Sequence, residues 1–233
     1  GLTRSSNNIS AYLMRQFGPF AMVDMCRKLG INSFLDPVVS LCLGPADITL
    51  FEMVGAYNTY PSKGVHIEPM FVLRIEDKSG NVLSNFTARK REAISEETAY
   101  LMVNLMQGVV NEGTAGRLRY KYIPEGALAG KTGTTNDQSD GWFIGYMPRL
   151  TAGVWVGAED RQVHFESLAL GGGSNMALPI WGLFMQKVLK DPELGISPYD
   201  AFTGPPGFSA DLRCTGGDEE LEGSSSTKDP FFN

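Results

Sequence analysis

The stretch Gly130-Lys131-Thr132-Gly133-Thr134-Thr135 sets an ammonium, three hydroxyls and two residues with no side chain ahead of the apolar run Trp142 to Met147. On a strand, the lysine supplies positive potential and hydrogen-bond donors, and a threonine hydroxyl can bond a carboxylate. Gly133 lets a ligand approach the backbone closely. An extended peptide could pair antiparallel with such an edge. Taken alone, Lys-Thr-Gly also fits an exposed turn. The lead-in Ala127-Leu128-Ala129-Gly130, the polar turn from Thr135 to Asp140 and the aromatic strand that follows favour the binding strand.

Other nucleophile and metal chemistries find little support. His66 and His164 are the two histidines, and neither adjoins a serine nucleophile motif. Cys26, Cys42 and Cys214 have no CxxC or zinc-ligand spacing and read as buried or incidental thiols. No metal or cofactor is expected. With 20 Lys and Arg against 26 Asp and Glu, the formal net charge is −6, and no long basic run occurs. A nucleic-acid partner is therefore not expected. No apolar stretch reaches the roughly 18 residues that span a bilayer, and the sequence does not open on a charged-then-apolar signal peptide, so any targeting segment is expected outside it.

Several elements must position the lysine strand. Asn7 to Pro19 and Pro19 to Gly30 read as two short helices, the second with a basic last turn and a glycine stop. Ala46 to Tyr60 reads as a buried helix on the three-apart residues Ile48, Phe51, Val54 and Tyr57. The stretches around Lys78-Ser79-Gly80 read as a two-stranded flap. Ser95 caps a helix whose Met102, Leu105, Met106 and Val109 are expected in the core. The strands Ala127 to Thr135, Trp142 to Met147 and Thr151 to Val156 have links short enough to require antiparallel neighbours. Trp142 and Phe143 read as sheet-packing residues. A helix capped by Ser174 or Asn175, with Pro179 in its early turns, lies across that sheet. Residues 204–233 lose all periodicity and read as an extended or disordered tail.

Lys131-Thr132-Gly133, with the surrounding "GKTGTTNDQSDGWFIGYMPRLTAGVWVG", resembles the third signature motif of class A penicillin-binding proteins. The stretch from Ser40 to Leu83, "LMQGVVNEGTAGRL" and "GGGSNMALPIWGLFM" are similar to further segments of that family. Together they cover nearly all of residues 1–203. At the front, the family's SxN motif falls on Ser5 and Asn7. The "SSNN" around them also reads as a helix cap, and both roles can hold at once.

The resemblance implies an α+β penicillin-binding-protein or serine β-lactamase-like fold, truncated at its front, with helices packed on an antiparallel sheet. It implies that Ser5 belongs to the proton relay at the leaving amine and that Asn7 contacts the substrate amide and the catalytic lysine. Lys131 would add positive potential and hydrogen-bond Ser5. Thr132 and Thr134 would face the terminal carboxylate of a D-Ala-D-Ala stem peptide or its β-lactam mimic, with Gly133 leaving room. The Thr134 backbone would supply an oxyanion-hole amide. The Gly113-Thr114-Ala115 segment reads simply as a helix stop.

The family's nucleophile is the serine of an SxxK motif upstream of SxN. Here Ser225-Ser226-Thr227-Lys228 matches that pattern only formally, within the polar tail. The expectation is a C-terminal fragment, residues 1–203, of a transpeptidase domain that is inactive by itself. Its parent would cross-link peptidoglycan outside the cytoplasm, anchored in the membrane and carrying a glycosyltransferase domain. A carboxypeptidase or β-lactamase type of hydrolase and a non-catalytic peptide-binding module are the alternatives. An unpaired strand edge would favour self-association.

Overall fold

A computed structural model describes residues 1–210 and 212. The chain opens with α1 (Asn7–Phe17) and α2 (Pro19–Lys28). Gly18 separates them, and Pro19 begins α2, where its missing amide proton costs nothing. A 3-10 turn at Val39–Leu43 leads to α3 (Leu50–Asn58). That helix starts later than its periodicity indicates, because Thr49 and Glu52 form a capping box. Phe51 is exposed, while Gly55 and Ala56 are buried. The three-apart pattern therefore fails at Phe51, whereas Ile48 and Tyr57 pack against buried clusters.

Glu52 does more than cap. Its carboxylate accepts from the Asn32 and Ser33 amides at 2.7 and 2.8 Å and from the Ser33 hydroxyl at 2.5 Å, tying α3 to the loop after α2. Burial raises its pKa, but these bonds and the Thr49 hydroxyl outweigh that and bring it down to about 2.

Four short strands follow. β1 (Val65–Ile67) pairs antiparallel with β4 (Lys90–Glu92), and β2 (Arg74–Glu76) with β3 (Val82–Asn85). The β2–β3 pair is the expected flap. The β1–β4 pair was not foreseen, since Lys90-Arg91-Glu92 has no strand-like alternation. His66 of β1 is buried, and His164 lies exposed in a loop.

The next helix, α4 (Glu96–Asn111), is capped by Ser95, whose hydroxyl accepts from the Thr98 amide at 3.1 Å. Val103, Met106, Val109 and Val110 are buried on it, whereas Leu105 is 53% exposed. Leu105 is thus not core: it follows Met102 at three, but the packed stripe runs through positions 103, 106 and 110. After a π-turn at Leu118–Tyr122, the chain enters the main sheet.

That sheet comprises β5 (Ala129–Thr134), β6 (Gly141–Met147) and β7 (Leu150–Val156), antiparallel in the order β5-β6-β7. Lys131 stands opposite Ile144, and Gly133 opposite Trp142. Among the described residues, the outer edges of β5 and β7 carry no partner strand. A short helical turn, α5 (Leu168–Gly171), precedes α6 (Ala177–Lys190). The α6 N-cap is Met176 and not Ser174 or Asn175. The Asn175 side-chain Nδ2 instead donates to the Leu168 carbonyl at 2.9 Å, holding the preceding turn.

Helix α6 packs on β6 and β7, and α4 packs against β5. Trp181, Leu178 and Met185 of α6 meet Phe143, Met147 and Leu128 in the central core. Phe143 is fully buried, and its ring meets Trp181 edge-on at 5.2 Å. Cys26 and Cys42 lie against a second apolar cluster centred on Met14, Ile31 and Leu41. Burial raises the Cys26 pKa, as a packing role implies. Cys214 and most of the tail lie outside the described residues, but Phe208 still packs edge-on against Tyr100 of α4. No helix among the described residues is long and apolar enough to cross a membrane.

Candidate active site

The open edge of β5 and the segment before α1 meet. Lys131 Nζ donates to Ser5 Oγ at 2.7 Å and to the Thr132 carbonyl at 3.0 Å, so residues 126 apart in sequence share one proton-sharing contact. Burial lowers the Lys131 pKa, because the ammonium is the form that loses hydration. A lysine easier to deprotonate and bonded to a serine hydroxyl can pass protons through that serine.

Ser5 reaches the lysine from a tight turn. Its φ is +55°, its amide donates to Leu2 O at 3.1 Å, and the Ser6 amide donates to Gly1 O at 2.9 Å. Asn7 is the first residue of α1 and is exposed, with no side-chain hydrogen bond to another described residue. Ser6 is the N-cap and makes no side-chain cap bond, so the cap role expected for this segment is carried by backbone alone.

Along β5, the Thr134 hydroxyl accepts from the Gly173 amide at 2.9 Å. That leaves its own proton free to donate to an anion. The Thr132 hydroxyl lies 2.8 Å from that of Thr114. A Cβ on Gly133 would sit 3.1 Å from Trp142 Cβ, so β6 occupies one side of this glycine. The turn leaving β5 is fixed by Asp140, whose carboxylate accepts from Ser139 Oγ at 3.0 Å and from Trp155 Nε1 at 2.9 Å.

Several residues here escaped the sequence reading. A Cβ on Gly113 would lie 2.2 Å from the Thr3 carbonyl, and one on Gly173 would lie 2.2 Å from the Gly133 carbonyl. Both glycines therefore allow backbone to touch backbone at the site. The glycine triplet before α6 and the Gly-Thr after α4 were the available signals. Neither says which distant strand it will touch.

Comparison with known proteins places the chain in a family. Its fold is that of penicillin-binding transpeptidase domains: penicillin-binding protein 1A from Haemophilus influenzae superposes with a TM-score of 0.74 at 23% identity, over 82% of this chain and 34% of that one. Penicillin-binding protein PonA1 from Mycobacterium tuberculosis gives 0.70 at 26% identity, over 88% and 59%. The family model for the penicillin binding protein transpeptidase domain matches residues 1–164, and the chain belongs to that family. Penicillin-binding protein 1A of Aquifex aeolicus is 31% identical over 205 residues, 88% of this chain and 27% of that protein. Penicillin-binding protein 2D of Bacillus subtilis is 32% identical over 212 residues, 85% and 29%. The chain thus spans little more than a quarter of the length of these relatives.

Proposed function

We propose that this chain is the C-terminal part, residues 1–203, of a serine D,D-transpeptidase domain that cross-links peptidoglycan and binds β-lactams. The observation that carries the reading is the 2.7 Å contact between Lys131 Nζ and Ser5 Oγ at the open edge of β5. In acyl transfer the serine of the upstream SxxK motif attacks the penultimate D-Ala carbonyl, and that motif's lysine takes its proton. The terminal D-Ala leaves as an amine and must gain a proton. Ser5 donates it, and Lys131 steadies the Ser5 hydroxyl and resupplies the relay.

Recognition uses the same strand. The extended stem peptide pairs with the outer edge of β5, and Gly133 leaves the backbone accessible. Thr134 keeps its hydroxyl proton for the terminal carboxylate because its oxygen accepts from Gly173 N. Thr132 completes that side of the strand, Asn7 holds the substrate amide from the head of α1, and the Thr134 amide contributes to the oxyanion hole. PonA1 from Mycobacterium tuberculosis has been solved in complex with penicillin V, which supports β-lactam binding as part of this reading. No cofactor takes part in these steps.

The whole protein works outside the cytoplasm, anchored to the membrane by sequence ahead of this region and joined there to a glycosyltransferase domain. The outer edges of β5 and β7, which have no partner strand among the described residues, support self-association of the isolated chain through strand pairing. Product analysis separates the transpeptidase from its hydrolytic alternatives. With D-Ala-D-Ala stem peptides and an acceptor amine, the full-length protein is expected to release D-Ala and form cross-linked dimers. Release of D-Ala with only the shortened monomer would make it a carboxypeptidase.

A further inference from the structure

We propose that Thr114 is a positioning residue for this chemistry: its turn holds the Ser5 segment and β5 in register, so that Ser5 Oγ meets Lys131 Nζ. The inference rests on the reading of Ser5 and Lys131 given above. Thr114 bonds both sides of the dyad. Its amide donates to the Thr3 carbonyl at 3.2 Å, two residues before Ser5, and its hydroxyl lies 2.8 Å from that of Thr132, one residue after Lys131.

The seat for Thr3 is built for close approach. A Cβ on Gly113 would lie 2.2 Å from Thr3 O, and one on Gly108 would lie 2.9 Å from Thr3 Oγ1. The seat itself is rigid, because Val109, Val110 and Ala115 are fully buried and the Ala115 amide donates to Val109 O at 3.0 Å. Between Thr3 and Ser5 the chain is a closed turn, held by Ser5 N to Leu2 O and by the positive φ of Ser5. A shift of Thr3 is therefore passed on to Ser5 and not absorbed. A displacement of about 1 Å takes the Ser5–Lys131 contact beyond hydrogen-bond range. Thr114 is placed against neither the reacting atoms nor the ligand itself, and it acts through Thr3 and through Thr132 of the binding strand.

The test is pre-steady-state acylation of the full-length protein by benzylpenicillin over a range of concentrations, which separates the dissociation constant of the first complex from the first-order acylation constant. Thr114→Val keeps the side-chain shape and removes the hydroxyl. It is expected to lower the acylation constant roughly 10-fold to 10²-fold while the dissociation constant changes less than about 2-fold. Thr114→Ser is expected to restore the rate, and Gly113→Ala to reproduce the loss. The rate constant reports only molecules that fold, so a partly misfolded preparation lowers the amplitude and leaves the reading intact. Acylation constants within about 2-fold of the native value in both Thr114→Val and Gly113→Ala would overturn the proposal. Ser5→Ala distinguishes the two levels. If it abolishes acylation while the Thr114 and Gly113 variants do not, only the positioning role fails. If Ser5→Ala acylates normally, the underlying assignment of Ser5 fails.

Discussion

Replacing Lys131 with methionine in the full-length protein is expected to slow acylation by penicillin by roughly 10²-fold to 10⁴-fold, the range over which positioned proton-transfer groups act. Methionine preserves most of the stem length and its packing. It removes the ammonium that donates to Ser5 Oγ at 2.7 Å and to Thr132 O at 3.0 Å. Ser5 then has no group to restore its proton, and the departing amine must take one from water. The substitution should leave folding intact, since burial already disfavours the charged form of Lys131. Acylation rate and melting temperature should therefore part company: the first collapses and the second holds. A variant that melts normally and acylates at the native rate would remove Lys131 from the mechanism.

The second large effect concerns the platform on which β5 sits. Trp181→Ala is expected to cost about 3–5 kcal/mol of stability, the usual range for emptying a buried aromatic site. Trp181 is fully buried in the central core, and its indole donates to the Ala152 carbonyl at 3.0 Å. Its ring meets Phe143 edge-on at 5.2 Å, and a Cβ on Gly145 would come within 2.9 Å of it. Truncation leaves a cavity beneath β6, an unsatisfied carbonyl on β7 and a Phe143 ring without its partner. Urea unfolding followed by tryptophan fluorescence measures the loss. A cost below about 1 kcal/mol would mean that the sheet and α6 can collapse onto one another, contrary to the tight packing at Gly145.

The main sheet was legible because β6 and β7 are dense in aromatic and β-branched residues and the links between its strands are short. The order β5-β6-β7 follows from those links alone. The motif residues of β5 were legible for another reason: Lys131 to Thr134 combine types that a bland turn does not need. What stayed hidden was distance. Nothing local in Thr3 or Gly113 announces that they touch, nor that Thr114 reaches Thr132. Leu105 was misplaced because a helical stripe can be drawn through either of two neighbouring faces, and only the neighbours in space choose between them. The α6 cap went to Met176 because Gly173 before it packs on the backbone of β5 and β6, which fixes where the helix can begin.

Intact mass after incubation with benzylpenicillin tests the central claim most directly. The full-length protein should gain the mass of a single penicilloyl group, located by peptide mapping to the serine of SxxK, and residues 1–233 alone should gain none. An unmodified full-length protein, or a penicilloyl group carried by a residue of the 233-residue chain itself, would contradict the account in which this chain supplies Ser5, Lys131 and the binding strand while the nucleophile comes from elsewhere.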